Sequence, residues 1–246
     1  MRSFKQLAFV LFLLASSPVR ALVGASDAPG PAARHTVMVL KQQQSGAAYC
    51  SGVVVADRAI LTAAHCVAGA RGIAIYVPGA VPPKLYEART VAIHPGYVPN
   101  AIRTRKRSID LALVRTGEAL PAALSQAAIS ARDAFAPGSP LRIAGFGLRT
   151  EGREKSAGTL RSARLVVREP ISTILLWARG ASPAIGGACT GDSGGPIFSD
   201  DFAEVAAITT WARGKGSKHC GELTQGVLLA PQRAWINSVL AKWGTR

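Results

Sequence analysis

Acid is what this 246-residue chain has least of: 14 Asp and Glu stand against 29 Lys and Arg, a formal charge of +15. Such an excess bears on partners and solubility rather than on fold. It comes with no nucleic-acid-binding motif, so charge alone does not make a specific nucleic-acid reader. Cysteine is also rare, with four in the chain, and no His/Cys spacing suits zinc. No motif calls for a cofactor, and none is expected. Long apolar runs are missing, which excludes a spanning helix. Internal repeats and low-complexity segments are missing too.

What is present begins with an export signal. Arg2 and Lys5 form a charged start, Leu7 to Ala15 an apolar run, and Val19-Arg20-Ala21 a small-residue cleavage site. Residues 1–21 therefore read as a signal peptide, with an uncleaved interfacial anchor as the alternative. Export to the periplasm or the outside lets four cysteines form two disulfides, in any of about three pairings by arithmetic alone. After residue 21 short apolar runs recur between Gly, Pro and charged punctuation: Thr36–Leu40, Gly52–Val55, Ile73–Val77, Thr90–Ile93, Leu111–Val114, Leu141–Ala144, Leu165–Val167, Ile197–Phe198, Val205–Thr210 and Val227–Leu229. Evenly spaced short strands predict an all-β barrel or sandwich. The end differs. After Pro231, the residues Ala234, Ile236, Val239 and Leu240 fall at near-helical spacing.

The chemistry is concentrated in Cys189-Thr190-Gly191-Asp192-Ser193-Gly194-Gly195-Pro196. A serine hydroxyl becomes a useful nucleophile when a base takes its proton and donors stabilise the resulting oxyanion. Glycines beside it permit the backbone turns that aim successive N–H groups at one point. Two other segments complete a set: Leu61-Thr62-Ala63-Ala64-His65-Cys66 and Ser108-Ile109-Asp110-Leu111-Ala112-Leu113. Together they supply His65, Asp110 and Ser193 in that order. The order and the 45-residue His–Asp spacing resemble the chymotrypsin/trypsin family of serine endopeptidases.

That resemblance covers essentially everything after residue 21. It implies two antiparallel six-stranded β-barrels, about 22–120 and about 135–230, and a C-terminal helix at about 231–243. The Pro- and Ala-rich stretch from Glu118 to Pro140 would cross between the barrels. The resemblance also implies a Ser193 nucleophile, a His65 base oriented by Asp110, and oxyanion donors on the backbone of Gly191 and Ser193. It selects the disulfides Cys50–Cys66 and Cys189–Cys220. The family's frequent extra disulfide is missing, with Trp177 about where one of its cysteines would be.

In such proteins a new N-terminus, usually Ile-Val-Gly-Gly, inserts and pairs with the aspartate before the nucleophile. Leu22-Val23-Gly24-Ala25 resembles that segment and directly follows the signal cleavage site. The expectation is that signal peptidase itself releases the Leu22 ammonium that pairs with Asp192, with no separate zymogen peptide. Gly187 stands where the family places the base of its primary specificity pocket, and a glycine there holds no Lys or Arg. Thr210-Trp211-Ala212 resembles one pocket wall and Gly226 the other, which implies a preference for medium apolar residues before the cut. Eight residues separate Trp211 from Cys220, an enlarged loop. Thr209 replaces the histidine that glutamate-specific members tend to carry.

No acid follows His65 until Glu87, so the calcium loop of some family members is not expected here. Removing residues 1–21 takes away Arg2, Lys5 and Arg20 and no acid, which leaves +12. The densest cations are Arg103, Arg105, Lys106 and Arg107, just before Asp110; Arg213, Lys215 and Lys218 form a second set. They are either a solvated basic surface, a device favouring acidic residues upstream of the cut, or a dock for polyanions. Protein or peptide substrates and a monomeric state are the expectation. The competing class is a relative that keeps the fold without catalysis and binds polyanions; retention of His65, Asp110, Ser193 and Gly191 favours the enzyme.

Overall fold

The computed structural model describes residues 30–44, 46–104, 106–182 and 185–245. The expected signal segment, Leu22–Ala25 and Arg105 lie outside the described residues. Among those described, no helix is long and apolar enough to cross a membrane.

The first barrel takes its strands from β1 (Thr36–Gln43), β2 (Gly46–Ala56), β3 (Ala59–Thr62), β4 (Gly72–Tyr76), β5 (Leu85–Ile93) and β6 (Ala112–Thr116), closed in the order β1-β2-β3-β6-β5-β4. Its interior is built by β-branched and leucine side chains that suit a half-buried pleat. Val39, Val53, Ile60, Ile75 and Leu113 are all fully buried there. Register ties Val39 to Cys50 on one side and to Ile75 on the other. β3 was not foreseen in the sequence; it is four residues long and follows β2 after a two-residue connection, Asp57-Arg58.

The second barrel is formed by β8 (Pro140–Gly145), β9 (Arg161–Arg168), β10 (Leu175–Gly180), β11 (Pro196–Ser199), β12 (Glu204–Arg213) and β13 (Leu223–Leu228). Its sheet runs β11-β8-β9-β10-β13-β12, and pairing of β11 with β12 closes it. A two-residue strand, β7 (Ala128–Ile129), adds in parallel to the start of β12. The all-β double barrel expected from the sequence is therefore the observed fold.

Three features lock the barrels together and so fix the groove between them. The crossing segment is stapled first to one barrel, where Leu120 N–H donates to Asp57 C=O at 2.8 Å, and then to the other, where Ser130 N–H donates to Val205 C=O at 3.0 Å. The first barrel's apolar core continues into Phe198, Val205 and Ile208 of the second. The C-terminal helix, here α2 (Arg233–Trp243), returns to bury Ile236 and Val239 in that same shared core. Trp235 meets the buried ring of His94 edge-on at 4.7 Å. Burial, the larger influence on His94, pulls its pKa below the usual histidine value, against a hydrogen bond to Gln232. Pro231 sits in the turn before the helix, and Gly244, in a left-handed conformation, ends it.

The four cysteines pair as Cys50–Cys66 and Cys189–Cys220, as the resemblance implied. The first ties β2 to the short turn that carries His65. The second ties the segment before Ser193 to the end of the β12–β13 connection, just ahead of β13.

Candidate active site

Three loops at the barrel junction bring the chemistry together. β3 ends at Thr62, and the chain turns through a single 3-10 turn, Ala64–Cys66, which projects His65. Asp110 lies just before β6. Its Oδ2 accepts from His65 Nδ1 at 2.7 Å, and its Oδ1 accepts from the His65 backbone N–H at 2.9 Å. Two bonds from one carboxylate fix both the position and the ring orientation of His65, and leave Nε2 as the basic nitrogen. Lys41 reaches over from β1 and donates to the His65 carbonyl at 2.9 Å. Ser193 precedes β11 and lines the same cavity as His65 and Asp110. Its hydroxyl makes no hydrogen bond among the described residues, and His65 Nε2 lies 3.7 Å from Cys66 Sγ.

The loop around Ser193 is held by its neighbours rather than by itself. Gly191 has φ +95°, and a Cβ there would strike the ring of Tyr49. Among the described residues no acceptor pairs with the N–H of Gly191 or of Ser193. Those two donors are uncommitted among the described residues. Between them Asp192 is fully buried. Its Oδ1 accepts from Gly147 N–H at 2.8 Å and its Oδ2 from Cys189 N–H at 2.9 Å. Gly147 is required here, because a Cβ would run into the carboxylate. Burial pushes the Asp192 pKa up to about 7, opposed by these two N–H groups and by the charge of Arg161.

Ser51 on β2 is a residue the sequence did not single out. It is fully buried. Its hydroxyl donates to Gly191 C=O at 2.9 Å and accepts from Phe146 N–H at 3.0 Å. Its own N–H donates to Ser193 C=O at 2.8 Å. One side chain and one amide of the first barrel thus grip the loop at both ends of the Gly191–Ser193 span, while Phe146 N–H ties Ser51 itself to the second barrel. Nothing in a Cys-Ser-Gly strand marks such a role.

A cavity of about 1030 Å³ opens beside Ser193. Of the expected pocket residues, Thr210, Trp211 and Ala212 line it, together with Thr209. Four successive residues can face one space because β12 carries a bulge at this point, where its register against β13 shifts between Thr209 and Trp211. Gly226 does not line the cavity. A Cβ on it would point at Ile197 Cδ1, 2.9 Å away, so its neighbours Gln225 and Val227 reach the cavity instead. Gly187 also stands behind the lining, covered by the fully buried Thr224, whose hydroxyl accepts from Ala188 N–H at 2.8 Å. Arg103, Lys106, Arg107 and His219 line the outer part. Cys50, His65 and Cys66 bring potential metal-ligating atoms within 4.8 Å of one another, but both sulfurs are spent in a disulfide.

Comparison with known proteins places this geometry. A protein-family model described as Trypsin matches residues 22–236. Mouse Serine protease 56 is 31% identical over 230 residues, covering 82% of this chain and 35% of that protein, so the chain spans about a third of that relative's length. Human Granzyme M is 27% identical over 221 residues, covering 81% of this chain and 82% of that one. Trypsin beta of Drosophila erecta is 26% identical over 213 residues, covering 79% of each. Among solved structures, one described as the structure of GrC superposes with a TM-score of 0.71 at 20% identity. Neuropsin, a serine protease expressed in the limbic system of mouse brain, superposes with a TM-score of 0.68 at 23% identity. Each of the two covers 86% of this chain and 96% of its own, and together they bear on fold alone.

Ser51 generates a testable outcome. Ser51→Ala leaves Phe146 N–H and Gly191 C=O without their buried partner. The rate constant for acylation of Ser193 by an activated ester is expected to fall about tenfold with KM nearly unchanged, less than the roughly 10²–10³ lost when an oxyanion donor is removed outright. Stopped-flow burst kinetics measure it; an unaltered burst rate contradicts the gripping role.

Proposed function

The chain belongs to the trypsin family, and on that premise we propose that it is an exported serine endopeptidase that cuts peptide bonds through an acyl-enzyme on Ser193. The observation that carries the reading is the pairing of His65 with Asp110 at 2.7 Å beside two uncommitted N–H groups, on Gly191 and Ser193. His65 Nε2 takes the Ser193 proton as the hydroxyl attacks the scissile carbonyl. The carbonyl oxygen gains negative charge and is received by Gly191 N–H and Ser193 N–H. His65 then gives the proton to the leaving amine, and Asp110 stabilises the imidazolium in between. Water repeats the sequence on the acyl-enzyme and releases the acid product.

The cavity supports a preference for a medium apolar residue before the cut. Trp211, Ala212 and Val227 offer apolar wall, while Asp110 is the acid in the lining and is committed to His65. Among the described lining residues no uncommitted acid is present to hold Lys or Arg. Gly187, behind the lining, adds no charge, and the turn of Gly226 away from the cavity gives Val227 and Gln225 the role of the second wall.

Activation runs through Asp192. A buried carboxylate with its pKa pushed to about 7 lacks full charge compensation among the described residues. The ammonium of Leu22, released when the signal peptide is removed, would supply it. The start of the family match at Leu22 supports this assignment.

One mass measurement tests nucleophile and start together. The exported protein is expected to begin at Leu22 and to gain a single fluorophosphonate adduct that vanishes in Ser193→Ala. A different start removes the activation scheme. No adduct on correctly processed protein removes the enzyme and leaves the basic polyanion-binding relative. A peptide-library profile tests the pocket: cleavage is expected after medium apolar residues, and cleavage mainly after Lys or Arg contradicts it.

A further inference from the structure

The cationic loop ahead of Asp110 is a built element. Its stem is closed by Ser108, whose hydroxyl accepts from Val98 N–H at 2.9 Å and donates to Val98 C=O at 3.3 Å. Ile109 N–H reinforces the stem on Gly96 C=O at 2.9 Å. Between these points the chain turns through α1 (Ala101–Thr104), where Thr104 N–H donates to Asn100 C=O and Lys106 N–H to Ala101 C=O, both at 3.0 Å. The result carries Arg103, Lys106 and Arg107 to the same cavity that holds Ser193 and Trp211.

The charge of that cavity is one-sided. Arg103, Lys106 and Arg107 make no ion pair among the described residues. The acid in the lining, Asp110, is occupied by two bonds from His65. A concave wall of one sign concentrates field lines and raises the local population of the opposite charge. A surface that merely keeps the protein soluble has no need of a hydrogen-bonded stem that presents three cations to the nucleophile's own cavity.

We propose that Arg103, Lys106 and Arg107 form an acid-selecting subsite, so that the preferred substrates are peptides with Asp or Glu a few residues upstream of the scissile bond. This rests on the endopeptidase reading and extends it from the residue before the cut to the stretch ahead of it. Each solvent-exposed pairing contributes a few-fold at most, so three give roughly tenfold, and salt screens it.

The test uses quenched fluorescent peptides with one apolar residue before the cut and either Glu or Gln two to four residues upstream. A third peptide carries Glu downstream instead. At low salt the upstream Glu peptide is expected to show about tenfold higher kcat/KM than its Gln twin. That ratio is expected to shrink toward one at about 1 M salt, and in Arg103→Gln/Lys106→Gln/Arg107→Gln. A wild-type ratio near one at low salt overturns the subsite, as does an equal gain from downstream Glu. A ratio near one together with heparin retention that the triple variant loses overturns it too, in favour of a polyanion dock. Fluorophosphonate labelling of the same preparation separates the failures. Labelled protein without the Glu preference sinks this inference alone, and unlabelled protein sinks the endopeptidase reading with it.

Discussion

The structure turns on one buried carboxylate. Asp192 sits between the two backbone donors that would hold an oxyanion, and its own oxygens are held by Gly147 and Cys189 amides. A carboxylate in that position costs free energy unless positive charge compensates it. The loop's conformation, and with it the aim of Gly191 N–H and Ser193 N–H, therefore depends on how that charge is met. Arg161 contributes, yet the pKa of the group still stands near 7. Under our proposal the remaining charge arrives with the ammonium of Leu22, and export and activation become one event.

Around this carboxylate the two barrels share the work. The first supplies His65 and Asp110 and, through Ser51, a clamp on Gly191 and Ser193. The second supplies the nucleophile loop and the bulged strand that lines the cavity. The shared core through Phe198, Ile208 and Ile236 joins the two halves that bring His65, Asp110 and Ser193 to one cavity. The cations of the loop before Asp110 face the same junction, so a single groove carries Ser193, His65, Trp211 and a positive wall.

Much of this was legible in the sequence, and the reasons are physical. Catalytic chemistry needs particular residue types in particular local settings, so His65, Asp110, Ser193 and the glycines flanking Ser193 stand out, and the disulfide pairing follows the family they resemble. The short apolar runs between Gly, Pro and charged residues marked most strands of both barrels. β3 and β10 escaped for different reasons: Ala59–Thr62 is only four residues long, and Leu175–Gly180 buries Leu176 and Ala178 but places the apolar Trp177 between them, so its alternation does not show in hydropathy. Ser51 escaped because a serine in a strand looks the same whether it faces water or bridges two barrels. The turning of Gly226 away from the cavity depends on the β12 bulge and on cross-strand register, which a linear spacing argument does not contain.

The central claim is that the Asp192 carboxylate is held by the Leu22 ammonium, and its titration tests this most directly. Carbon NMR of the Asp192 carboxyl can be compared between protein beginning at Leu22 and a form carrying extra residues ahead of it. In the extended form the midpoint should lie at about 7. The native state then keeps a proton that the unfolded chain releases from about pH 4, so stability falls as pH rises toward 7, by about 1.4 kcal/mol per unit. In the Leu22 form the carboxylate should stay ionised well below that midpoint, and the fall in stability over that range should disappear. The same midpoint in both forms would contradict the account.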